Sequence, residues 1–67
     1  MMMTLTETDV NIVKLTRGLQ FRRYETAKGC AVSTLHTEEG PKGTMPNDEA
    51  MGEIGSYMAV GWRVVAV

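Results

Sequence analysis

Cys30 is the only cysteine and His36 the only histidine in the chain's 67 residues, so covalent or metal staples are ruled out. A lone cysteine closes no internal disulfide, and the pair cannot supply the four ligands of a structural zinc site. Apolar burial must therefore hold the chain together. For a chain of this size, scaling relations leave about 60% of the unfolded surface buried. That core has a thin margin over chain entropy. The expectation is one small domain spanning residues 1–67, with residues 1–5 as a frayed end.

Several segments carry a periodic pattern. Thr6 to Arg17 has a helix-entry signature, with Thr6 and Asp9 at capping-box spacing and Glu7 and Asp9 at the N-terminal end. Lys14 and Arg17 suit the other end, and Gly18 fits a C′ position. The pattern predicts a helix, although Val10–Leu15 is rich in Val and Ile and also fits a strand. Leu19 to Glu25 reads as a strand, Thr26 to Gly29 as a turn and Cys30 to His36 as a second strand. Alternation places Leu19 and Phe21 on one face with Cys30, Val32 and Thr34. Gln20, Arg22 and Tyr24 fall on the other with Ala31, Ser33 and Leu35.

Residues 37–47 hold two prolines, two glycines and two adjacent glutamates, which predicts a long loop. Asn47 is a good N-cap. Asp48 and Glu49 follow in the first turn, and Ala50, Met51, Ile54, Tyr57 and Met58 recur at helical spacing. Val60 to Val67 reads as a last strand with apolar residues on both faces. The sum is an α+β fold ordered α-β-β-α-β: a three-stranded antiparallel sheet, order 2-1-3, with two helices packed on one face.

Chemistry is sparse. On one strand Cys30 and His36 would lie about 20 Å apart, too far for a nucleophile and its base. Cys30 then reads as a small buried hydrophobe and His36 as a solvated strand end. Glu38-Glu39 and Asp48-Glu49 sit in a loop and at a helix start, where acids need no catalytic reason. Gly40-Pro41-Lys42-Gly43 lacks the Lys-Ser/Thr ending of a phosphate loop. No catalytic residue, metal ligand or cofactor is assigned, and the chain reads as a non-enzyme.

Charge is the informative distribution. The formal net charge is −1, yet residues 10–29 carry Lys14, Arg17, Arg22, Arg23 and Lys28 against Glu25 alone. Residues 30–62 carry Glu38, Glu39, Asp48, Glu49 and Glu53 against Lys42. Such segregation suits a binding module, because charge complementarity sets encounter rate and partner choice. The first reading is a protein-binding module of the phage- or mobile-element type. It would inhibit a larger host protein by steric or electrostatic occlusion, as anti-defence proteins do. Its candidate contacts are Lys14, Arg17, Arg22, Arg23, Tyr24, Glu38 and Glu39.

Two alternatives stand beside it. One is a single-stranded RNA or DNA binder using a basic, aromatic-bearing sheet face with Arg22, Tyr24 and Arg63 turned away from the helices. The other is a homo-oligomeric structural subunit. The start, MMMTLTETD, lacks the basic and apolar regions of a signal peptide. No apolar run approaches a membrane span, and a lone free cysteine suits a reducing compartment. The expectation is a cytoplasmic protein with no membrane partner.

Overall fold

A computed structural model describes residues 10–65. The frayed end expected at 1–5 and the last two residues of the final strand lie outside them. Four strands follow one another as a meander: β1 (Val10–Arg17), β2 (Gln20–Ala27), β3 (Val32–Thr37) and β4 (Gly40–Pro46). A single helix, α1 (Asn47–Ala59), then leads to a short strand, β5 (Arg63–Val65). The strands form one antiparallel sheet in the order β4-β3-β2-β1-β5. Among the described residues, five strands and one helix thus replace the three-stranded sheet with two helices. No helix among the described residues is long and apolar enough to cross a membrane.

The first helix is overturned by β1. Gly18 explains how the two readings compete, because its φ of 62° suits a helix C′ residue and a tight hairpin equally well. Here Gly18 and Leu19 form a two-residue connection, and Arg17 pairs with Gln20. The β-branched run of Val10, Ile12 and Val13 then extends along β2. Pairing continues to Val10 opposite Ala27.

The long loop at 37–47 is overturned as well, since Gly40–Pro46 is strand β4. Its prolines are tolerated because β4 is an edge strand with a single neighbour, β3. A register shift opposite Leu35 and His36 absorbs one extra residue. Glu38 and Glu39 alone remain as the turn between β3 and β4.

Helix α1 begins where the sequence places it, although the function of Asn47 differs. Its side chain makes no cap. Instead its Nδ2 donates to the Cys30 carbonyl at 2.9 Å, and its backbone N–H donates to the Ala31 carbonyl at 3.0 Å. Its Oδ1 accepts from the Ser33 hydroxyl at 2.9 Å. Asn47 thus ties the helix start to the β2–β3 connection.

At the far end, the N–H of Gly61 donates to the Met58 carbonyl at 3.1 Å and that of Trp62 to the Tyr57 carbonyl at 3.0 Å. This is a Schellman ending, with Gly61 in the left-handed region at φ 105°. The apolar contact that accompanies such an ending is the edge-to-face pair Tyr57–Trp62, with centroids 5.1 Å apart. Residues 60–62 are therefore spent on the helix stop, and the last strand starts at Arg63. It pairs with β1, not with the Leu19–Glu25 segment as order 2-1-3 required. Gly52 and Gly55 bring nothing close, since a Cβ at either would meet only open space.

The core lies between α1 and one face of the sheet. Leu15, Tyr24, Leu35 and Ala50 are buried, with Met45, Ile54, Tyr57 and Trp62 packed against them. Trp62 thus joins the core from the end of the helix while remaining partly exposed.

Candidate functional site

The residues directly opposite one another in an antiparallel sheet share a face, so the register sorts every strand residue. Leu15 is opposite Arg22, Tyr24 is opposite Leu35, and Val64 is opposite Leu15. These belong to the helix side. The other face carries Ile12, Lys14 and Thr16 from β1, Phe21, Arg23 and Glu25 from β2, and Thr34 and His36 from β3. Arg63 and Val65 join it from β5. No helix packs over this second face among the described residues.

This inverts the expected assignment while keeping its partition. Phe21 does share a face with Val32 and Thr34, and Arg22 and Tyr24 with Ser33 and Leu35. The covered side is the one holding Arg22 and Tyr24, however, and the open side holds Phe21. Tyr24 is 2% exposed, so it is a core residue.

Arg22, Tyr24 and Glu53 close a triangle under the helix. The Arg22 Nε donates to the Tyr24 hydroxyl, which donates to Glu53 Oε1, and Arg22 Nη2 donates to the same oxygen, each at 2.9 Å. The Arg22 guanidinium also lies 4.2 Å from the Tyr57 ring centroid. Burial opposes its charge, but the hydrogen bonds to Tyr24 and Glu53 outweigh it and raise the Arg22 pKa. Arg22 is thereby committed to tying the sheet to the helix.

Burial, reinforced by the carboxylate of Glu53, pushes the Tyr24 phenol up to about 12. The folded state thus favours the neutral phenol. Its contribution to stability is complete below the unfolded tyrosine pKa of about 10 and is lost as pH rises through about 12. The expected result is alkaline unfolding in that window, on the order of 2 kcal/mol of stability. Tyr24→Phe should flatten it. Denaturant melts at several pH values check this, and an unchanged alkaline slope in Tyr24→Phe would refute it.

The remaining predicted contacts divide. Glu38 sits in the β3–β4 turn, where its carboxylate accepts the Phe21 N–H at 3.0 Å and is held below the ordinary glutamate range by that bond. Glu39 pairs with Lys42 at 2.6 Å. Both acids are therefore engaged within the chain. Arg17 lies exposed at the end of β1. Lys14 and Arg23 are the two predicted contacts that the structure brings together on the open face.

Their placement is unusual. Lys14 is directly opposite Arg23, and Arg23 is directly opposite His36. The three form a row across adjacent strands spaced about 4.8 Å apart. Arg63 lies one row away, opposite Thr16. Like charges facing each other across strands are destabilising by roughly 0.2–1 kcal/mol. Among the described strand residues Glu25 is the one acid on this face, and it pairs with Arg23 Nη2. The Arg23 Nε remains without a hydrogen-bond partner. Phe21 completes the patch, with the Lys14 ammonium 4.9 Å from its ring centroid.

Sequence reasoning left out Phe21 and His36, and placed Arg63 with the wrong neighbours. Alternation had already put Phe21 opposite in sense to Arg22, so the missing signal was which side the helix covers. The reading of Cys30 as a buried hydrophobe is corrected, because it is exposed in the β2–β3 connection. His36 is half-buried, facing Arg23.

The helix side holds a cleft of about 370 Å³ between the first half of α1 and strands β1 to β3. Its polar groups Thr26, Ser33 and Asn47 hydrogen-bond one another. No group of three or more His, Cys, Asp or Glu residues among those described could hold a metal ion. No family model matches the chain, and neither the curated proteins nor the solved structures provide a match.

Proposed function

We propose that this chain is a non-enzymatic module that binds single-stranded nucleic acid on the open face of its sheet. The supporting observation is the pair of cations Lys14 and Arg23, directly opposite one another beside His36, with Arg63 one row away. Like charges directly opposite one another across strands cost stability, and Glu25 offsets the charge of Arg23 alone. A fold with a thin margin has reason to keep such a pair where a polyanion neutralises it. The aromatic ring in the next row suits a flexible strand whose bases are free to stack, and a duplex hides those faces.

Docking on a larger protein as an occluding inhibitor is the competing use of the same face. It would need an acidic partner surface, and it loses Arg22 and Tyr24 as anchors. Self-association through the β4 edge is poorly supported, since that strand carries proline near each end.

Fluorescence anisotropy of a labelled oligouridine, titrated at several salt concentrations, tests the proposal. Three phosphate contacts, from Lys14, Arg23 and Arg63, give a slope of about −2 in log affinity against log salt. That is about a 20-fold weakening between about 50 and 200 mM. Absence of binding at low salt, or equal affinity for the matching duplex, would overturn it. Capture of an acidic protein in place of RNA would move the assignment to the competing use.

A further inference from the structure

We propose that Phe21 is the seat on which one nucleobase stacks, and that Lys14 caps this ring in the free protein and leaves it for a phosphate on binding. The inference rests on the open face taking single-stranded nucleic acid, and it assigns the residue that touches the base.

Phe21 lies in β2, the middle strand of the sheet, on the face without a helix. The other described aromatic side chains, Tyr24, Tyr57 and Trp62, belong to the helix side. Phe21 is thus the single flat apolar surface within the basic patch. Its backbone is fixed twice, by pairing of Phe21 with Thr16 and by its N–H donating to the Glu38 carboxylate. A rigidly held ring loses little freedom when a base lands on it.

Lys14 is a diagonal neighbour of Phe21 across β1 and β2, within reach of a long side chain. Its ammonium lies 4.9 Å from the ring centroid. Both side chains are half-buried, and a contact of this kind favours the capped state by about 2- to 30-fold. Stacking of a base on an aromatic side chain is worth about 5- to 150-fold. The exchange therefore runs toward the stacked base, and the displaced ammonium stays beside the row where phosphates collect. Lys14 opposes Arg23 and Arg23 opposes His36, so the nucleic acid runs across the strands with its phosphates along that row.

Phe21 is the chain's one phenylalanine, so selective labelling reports on it alone by NMR. Oligouridine and inorganic polyphosphate are added separately to the full chain, and the Phe21→Leu variant is assayed with both. The proposal expects an upfield ring-current shift of the Phe21 ring protons with oligouridine and none with polyphosphate. It also expects Phe21→Leu to weaken oligouridine binding by about 5- to 150-fold while polyphosphate binding stays within about 2-fold. Oligouridine binding with no ring shift, or with unchanged affinity in Phe21→Leu, overturns the stacking seat and leaves the binding face standing. Equal losses for both ligands also overturn it, because they mark a disturbed patch. Failure of the unaltered chain to bind either ligand removes the binding face itself.

Discussion

Leu15→Ala should leave much of the population unfolded. Leu15 is 0% exposed, and β1 holds it between Arg22 of β2 and Val64 of β5. Truncating a fully buried leucine costs about 2.7–5 kcal/mol through lost transfer energy and the cavity left behind. A chain of this length has about 3–10 kcal/mol of stability in all. With so few buried side chains around it, the site has little neighbouring mass to collapse inward. At roughly 4–8 °C per kcal/mol, the melting temperature falls by at least about 10 °C. Leu19 provides the control, because it sits at the β1–β2 turn and is 98% exposed. Leu19→Ala should change stability by no more than about 0.5 kcal/mol. Thermal melts of the two variants side by side decide the matter. Equal melting temperatures would mean that the packing described for β1 is wrong.

The second large effect concerns binding. Replacing Lys14 and Arg23 together by glutamine removes two of the three cationic phosphate contacts. The salt slope should fall from about −2 to about −0.7, and affinity at about 50 mM salt should drop on the order of 50-fold. Stability should move little. The change relieves a like-charge pair and gives up one partly exposed ion pair and one half-buried cation–π contact, each worth about 1–2 kcal/mol or less. Binding is lost without unfolding, which separates a used surface from a structural one. Arg22→Gln should behave the opposite way, because Arg22 is bound to Tyr24 and Glu53 beneath the helix. It should lower the melting temperature and leave the salt slope near −2. If Arg22→Gln weakened oligouridine binding as much as the double variant, the division of the two faces would have no functional meaning.

Both experiments turn on a distinction between neighbours in the chain. Arg22 and Arg23 are adjacent and chemically identical, and both stood among the candidate contacts. Strand geometry sends one under the helix and the other to the open face. Leu15 and Leu19 are a comparable pair: each fits an apolar pattern, and one ends in the core while the other ends at a turn. Helix α1 was legible because its cues are local: an acidic first turn and apolar residues at helical spacing. Its Schellman stop at Gly61 was also written locally, in Tyr57, Gly61 and Trp62, although a run of valines masked it. Strands β1 and β4 were harder to see. β1 carries helix-like ends around a β-branched middle. β4 carries prolines and glycines that only an edge strand accommodates, and edge position is a property of the whole sheet.

A few buried side chains beneath one helix make the core of the described residues. Alternation along β2 and β3 was enough to state which residues travel together, Phe21 with Val32 and Arg22 with Ser33. A period of two divides a strand into two sets and carries no label for the inner one. The label came from long-range packing, when Leu15, Tyr24 and Leu35 met Ala50 on α1. Burying a tyrosine with its hydroxyl satisfied by Arg22 and Glu53 committed that side to the core. Phe21, Lys14 and Arg23 were left outward, and with them the surface on which a partner can land.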